Sequence, residues 1–133
     1  MLGNPSDPAP KTVLVVEDNE LNLKLLNDLL EYQGYRVIAT RLGEPAIGLA
    51  RQYKPDLILM DIQLPDISGM EATQRLKSDE QTRAIPIIAV TAFAMSGDEA
   101  RIRACGCDGY IAKPFNVIEF LKLVERWTTR DRA

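Results

Sequence analysis

Apolar residues fall along this chain in two alternating rhythms. Short runs at 12–16 (TVLVV), 35–39 (YRVIA), 56–60 (DLILM), 86–90 (PIIAV) and 108–112 (DGYIA) predict five strands. Three of them are apolar and rich in β-branched residues, as strands covered on both faces should be. After each run the spacing changes to three and four. Leu21, Leu25 and Leu29 make one helical stripe. Ala46, Leu49, Ala50 and Tyr53 make a second, and Val117, Phe120, Leu121 and Val124 a third. Ser68-x-x-Glu71 and Ser96-x-x-Glu99 read as capping boxes that open the third and fourth helices. Gly34 and Gly106 stand where left-handed caps would end helices. The fourth helix, 97–105, has the weakest stripe, with little beyond Ile102 and Cys105.

Strand and helix alternating five times predict a parallel sheet with helices on both faces, joined by right-handed crossovers. The 133 residues suit one such α/β domain with a real core. Pro5, Pro8 and Pro10 predict a short disordered leader over 1–10, ahead of a domain over 11–130. The fifth helix runs almost to the last residue, so no output domain is expected.

Composition narrows the function classes. Sixteen basic and nineteen acidic residues give a formal charge of −3, against a nucleic-acid binder working by bulk charge. No window is long and apolar enough for a membrane span, and MLGNPSDPAP lacks the basic and apolar regions of a signal peptide. A cytoplasmic location is expected. There is no histidine, which removes every histidine-dependent triad. Cys105 and Cys107 are the only cysteines, and their spacing matches no zinc knuckle and no familiar redox motif. They read as two reduced thiols near a helix end.

The residues at the strand exits carry the chemistry. Glu17 and Asp18 come after the first strand, Asp61 after the third, Thr91 after the fourth, and Lys113-Pro114 after the fifth. In an open parallel sheet these strand ends share one edge, where ligands bind. If the order is 2-1-3-4-5, the first and third strands are neighbours and a crevice opens between Glu17/Asp18 and Asp61. Two like charges about 4 Å apart cost several kcal/mol at an effective dielectric near 20. A cation would relieve the cluster, and all-oxygen ligands with room for water suit Mg²⁺. Lys113 adds a fixed positive charge and Thr91 a hydroxyl donor. Together these groups describe a phosphoryl-transfer site with Asp61 as nucleophile.

The segments VLVVEDNELN, PDLILMDIQLPDISGME, IPIIAVTAFA and GYIAKPF resemble the response-regulator receiver family, in order and with family-like spacing, over roughly 11–127. The resemblance implies a flavodoxin-like (βα)5 three-layer sandwich with strand order 2-1-3-4-5. It implies phosphorylation of Asp61 by a histidine kinase or a histidine phosphotransfer protein, and Mg²⁺ held by Glu17, Asp18, Asp61 and the main-chain carbonyl of Gln63. Lys113 would pair with the phosphate, Thr91 and Tyr110 would form a switch, and Lys113-Pro114 would be a cis peptide. The acidic pair is Glu-Asp, where many members have Asp-Asp. A downstream protein would bind the face of the fourth helix, fifth strand and fifth helix, near Phe93, Tyr110, Phe115, Arg101 and Arg103. No direct DNA contact and no turnover of a small molecule are expected.

Other classes fit less well. A haloacid-dehalogenase-type phosphatase needs a second acid two residues after the nucleophile, and that position is Gln63. A dinucleotide binder needs a phosphate loop after the first strand, but EDNELN is acidic and glycine-free. A phosphorylation-incompetent receiver that only binds partners is disfavoured by the complete set of Glu17, Asp18, Asp61, Thr91 and Lys113.

Overall fold

The structure, a computed structural model, describes residues 10–92 and 98–129. Residues 1–9 of the predicted leader, Phe93 and Ser96 of the fourth helix's capping box therefore lie outside the described residues. The strands are β1 (Thr12–Val16), β2 (Arg36–Thr40), β3 (Leu57–Asp61), β4 (Ile87–Thr91) and β5 (Gly109–Ala112). They alternate with α1 (Glu20–Tyr32), α2 (Gly43–Tyr53), α3 (Gly69–Ser78), α4 (Asp98–Ala104) and α5 (Val117–Thr129). The strands form one parallel sheet in the expected order β2-β1-β3-β4-β5.

Alternate residues of the central strands feed two cores. Leu14, Val16, Ile58, Met60 and Ile87 meet Ala46 and Ala50 of α2 and Ala72 and Leu76 of α3 on one face. Val13, Val15, Leu57, Leu59, Ile88 and Val90 meet Leu26 and Leu30 of α1 and Phe120 and Val124 of α5 on the other. β3 and β4 are buried at every position, which is why their sequences show no polar alternation.

Two local expectations need correction. The buried face of α1 is Leu26 and Leu30, whereas Leu21 is 79% exposed and Leu25 47%. The helix carries two competing i, i+4 leucine rows, and the row pointing at β1 and β3 is the buried one. At α3, Ser68 does cap, accepting from the Met70 N–H at 3.0 Å. Glu71 pairs with Arg75 one turn on, so the carboxylate assigned to the reciprocal half of the box serves an ion pair. Gly34 and Gly106 have the left-handed φ expected of them, +95° and +103°.

Candidate functional site

Parallel pairing puts the carboxyl ends of β1, β3, β4 and β5 side by side. Asp61 is the last ladder residue of β3, opposite Val90, and Thr91 the last of β4, opposite Ala112. The Lys113 N–H donates to the Thr91 carbonyl at 2.7 Å, which fixes the exit of β5 beside that of β4. The Lys113-Pro114 peptide is cis, as expected.

Lys113 joins the two acids. Its Nζ lies 3.0 Å from Glu17 Oε1 and 3.4 Å from Asp61 Oδ2. Both carboxylates are buried, Glu17 to 2% exposure and Asp61 to 6%. The other oxygen of each is held by backbone. Asn19 N–H donates to Glu17 Oε2 at 3.0 Å and Gln63 N–H to Asp61 Oδ1 at 3.1 Å. Asn19 also caps α1 through Asn22 N–H. The loop after β1 is thus pinned from both ends.

Burial pushes the Asp61 carboxyl up from 3.8 to about 6, and the neighbouring Glu17 carboxylate pushes the same way. The Lys113 ammonium and the Gln63 N–H act against this and do not prevail. A consequence can be measured without phosphate. Between pH 3.8 and about 6 the folded protein holds a proton on Asp61 that the unfolded chain releases. Asp61 therefore favours folding most below pH 3.8, and that contribution is lost as pH rises through about 6. Asp61→Asn should match wild-type stability at the acid end and exceed it by about 3 kcal/mol above the window. Denaturant melts across this range check it; parallel curves for the two proteins would refute it.

Asp18 stands apart from this cluster. Its carboxylate is half exposed and 3.8 Å from Arg41 Nη2, and its carbonyl accepts from Arg41 Nε at 2.9 Å. Two acids already share one ammonium, so a third would add repulsion, while Arg41 offers an opposite charge. Among the described residues no three His, Cys, Asp or Glu side chains converge as metal ligands. The site nevertheless fits a hard cation. Glu17 Oε1 is buried with no aligned hydrogen-bond donor, its contact to Lys113 being a charge pair out of hydrogen-bond geometry. Two carboxylates with that oxygen available match the way Mg²⁺ is held, through one or two carboxylates and retained waters.

Three residues without a signal of their own in the sequence shape the site. Arg41 holds Asp18. Asp66 caps α2, accepting from Gly43 N–H at 2.8 Å and Glu44 N–H at 2.7 Å, and so ties the loop over the site to the rest of the domain. Those N–H bonds, Glu44's first, hold the Asp66 carboxyl down at about 2. Gly69 has no room for a Cβ, which would stand 2.0 Å from the Asp61 carbonyl oxygen. For the last two, the turn-like PDISG run was the one hint.

Thr91 is buried, at 1% exposure, and lines a cavity of about 400 Å³ with Gln63, Ser68, Arg101 and Ile102. Tyr110 is half-buried, with the Arg103 guanidinium 5.1 Å from its ring centre. Phe115 stacks on Phe120 at 5.0 Å between centroids, so packing accounts for much of it. A second cavity, about 330 Å³, runs from Glu17 and Lys113 along Asn22, Leu25 and Phe115. It opens between α1 and the loop after β5, next to the exposed Leu21 and Leu25.

Residues 13–125 match the family described as response regulator receiver domain. The chain belongs to that family, whose function is phosphoryl acceptance in two-component signalling with histidine kinase partners. Among its relatives is the polar-differentiation response regulator DivK of Brucella anthropi, 58% identical over 118 residues, 89% of this chain and 96% of that one. The DivK of Brucella ovis is 58% identical over 117 residues, 88% of this chain and 95% of that one. VEDNELN, ILMDIQLP and AVTAFAM carry a resemblance to DivK within the broader family pattern. Among solved structures, the receiver domain of the sensor histidine kinase PA1611 from Pseudomonas aeruginosa PAO1 superposes with a TM-score of 0.86 at 37% identity. The match covers 92% of this chain and all of that one, and that structure has a magnesium ion coordinated in its active-site cleft. The Mn²⁺-bound form of response regulator Rcp1 superposes at 0.73 with 26% identity, covering 88% of this chain and 91% of that one. No helix among the described residues is long and apolar enough to cross a membrane.

Proposed function

We propose that Asp61 is the phosphoacceptor of this receiver domain and that Glu17, Asp18, Asp61 and the Gln63 carbonyl hold Mg²⁺. The observation that carries the reading is the Lys113 ammonium set between two buried carboxylates at the shared strand edge. An Asp61 carboxylate oxygen attacks the phosphorus of a phosphohistidine. The new O–P bond forms as the N–P bond breaks, and the electron pair leaves on the donor imidazole. Bound Mg²⁺ supplies charge neutralisation for the transferring phosphoryl oxygens. Lys113 then exchanges its Asp61 contact for a phosphate oxygen. Gln63 N–H fixes the rotation of the Asp61 carboxyl. Asp18 would help hold the metal in exchange for its contact with Arg41, an exposed pair that contributes little to stability.

The phosphodonor is a histidine kinase or phosphotransfer protein, and the groove beside Leu21 and Leu25 gives its helices an apolar seat next to Asp61. Thr91 and Tyr110 transmit the change. The Thr91 hydroxyl moves to the phosphate, and Tyr110 turns inward from the face of α4, β5 and α5, where a downstream protein binds. The protein acts in the cytoplasm through protein contacts, without direct DNA binding and without small-molecule turnover.

Magnesium titration followed by amide NMR tests the metal assignment. Weak binding should shift Glu17, Asp18 and Gln63 amides, and the Asp18→Ala, Asp61→Ala double variant should bind at least about tenfold more weakly. Undiminished binding by the double variant would remove the assignment.

A further inference from the structure

The described structure brings together two thiols that the sequence spacing gave no reason to pair. Cys105, at the end of α4, is buried at 5% exposure, and Cys107, before β5, is half-buried. Both sulfurs point at one atom. Cys105 Sγ lies 2.9 Å and Cys107 Sγ 3.2 Å from the Ile102 carbonyl oxygen. That oxygen also accepts from the Cys105 N–H at 3.3 Å. Three donors compete for two lone pairs, so the thiol protons are not both needed there. Gly106, between the cysteines, has a φ of +103° and turns the chain so that the two side chains face the same way.

We infer that Cys105 and Cys107 form a thiol–disulfide exchange site that reacts with small disulfides of the glutathione type and closes to an intramolecular disulfide. Residues two apart lie at most about 7 Å apart between Cα atoms. A bend at the middle residue brings that inside the range of about 4.4–6.8 Å that disulfides span. The Cys107 sulfur is the one solvent reaches, and its thiolate attacks one sulfur of the oxidant. This releases one equivalent of glutathione and leaves a mixed disulfide on Cys107. Cys105 then attacks Cys107 Sγ, expelling the second glutathione, and the two thiol protons leave on the two released thiols. The second step is intramolecular, between sulfurs already turned to one carbonyl oxygen. In the reduced pair the S–H of Cys107 draws the Cys105 thiol below the usual range while Cys107 holds its own proton more tightly, so the first attack, by the sulfur that solvent reaches, is the slow step. Oxidation leaves Ile102 O with its backbone donor, so no buried carbonyl is orphaned.

The site lies where α4 hands over to β5, two residues before Gly109 and three before Tyr110. Asp108, next in the chain, ties this junction to β4 through Ile87 N–H at 2.8 Å and to Lys77 at 2.8 Å. Closing the ring redraws the end of α4 and the approach to β5. On the proposed function, that is the face that meets the downstream protein. The disulfide itself is detected without any phosphorylation, so it stands or falls separately from that reading.

The test is incubation of the full chain in buffers of rising oxidised-to-reduced glutathione ratio, with intact-mass and alkylation readouts. The wild type should convert to a monomer about 2 Da lighter in which neither cysteine alkylates, with shifts confined to amides of α4 and β5. Cys105→Ser should instead accumulate one glutathione adduct, about 305 Da heavier, on Cys107. The proposal is overturned if the wild type also stops at the adduct, if both thiols still alkylate in fully oxidised buffer, or if the bond forms only between chains.

Discussion

Gly69→Ala will lower the thermal midpoint by about 10 °C or more and will disable phosphoryl uptake even in the fraction that stays folded. The added Cβ would sit 2.0 Å from the Asp61 carbonyl oxygen and 2.9 Å from both the Asp61 carbonyl carbon and Ile62 Cα. All three are backbone atoms, so no rotamer change relieves the clash. Either the end of β3 or the first turn of α3 must move. Moving α3 weakens the Gly69 N–H to Ile62 carbonyl bond of 2.9 Å. Moving β3 displaces Asp61 from Gln63 N–H and Lys113. The cost is about 3 kcal/mol or more, a large share of a typical domain's stability. Gly48, inside α2, is the control, since a Cβ there meets nothing within 4 Å. Gly48→Ala should stabilise by up to about 1 kcal/mol. Calorimetry of the two variants checks this. Equal melting behaviour would mean that the close approach at Gly69 is not a real constraint.

Lys113→Ala will uncouple phosphorylation from its readout. The ammonium is the cation that faces both Glu17 Oε1 and Asp61 Oδ2. Without it two buried carboxylates repel across a crevice that water barely reaches, and the Asp61 carboxyl should titrate still higher. A mild loss of stability would result if Lys113 were a surface charge. Burial of its two partners raises the expected loss to about 2 kcal/mol. Uptake from acetyl phosphate should slow by about tenfold to a hundredfold, the worth of one charge-assisted hydrogen bond. Thr91 and Tyr110 should then keep their unphosphorylated NMR environments even when Asp61 is labelled. A labelled variant with wild-type Thr91 and Tyr110 shifts would show that Lys113 is not part of the coupling.

The parts of this molecule that were legible in the sequence are those set by burial. β1, β3 and β4 are apolar because both faces are covered, and that pattern announces itself. Several predicted strand boundaries fall one residue early. At β3, β4 and β5 the lead-in residues Asp56, Pro86 and Asp108 serve the ladder from outside, as Asp56 does with its N–H on the Thr12 carbonyl, whereas Tyr35 before β2 donates to Leu30 of α1. The displacement matters, because Asp61 and Thr91 are then the last residues of strands and are held by the ladder itself. Glu17, Asp61 and Lys113 were legible because strand ends of a parallel sheet must share an edge. The position of Asp18 was not, because it depends on where Arg41 emerges from β2. Gly69 and Asp66 act through loop paths that no periodicity encodes. In α1, leucines on two rows left the buried face undecided until the sheet supplied it.

Asp61 alone should receive the phosphoryl group, and everything proposed for the site rests on that. Acetyl phosphate and Mg²⁺ added to the wild type and to Asp61→Asn, with intact-mass measurement and then alkaline treatment, test it most directly. The wild type should gain one phosphoryl group that survives acid and is lost in base, and Asp61→Asn should gain none. Labelling of Asp61→Asn to the wild-type extent would contradict the account.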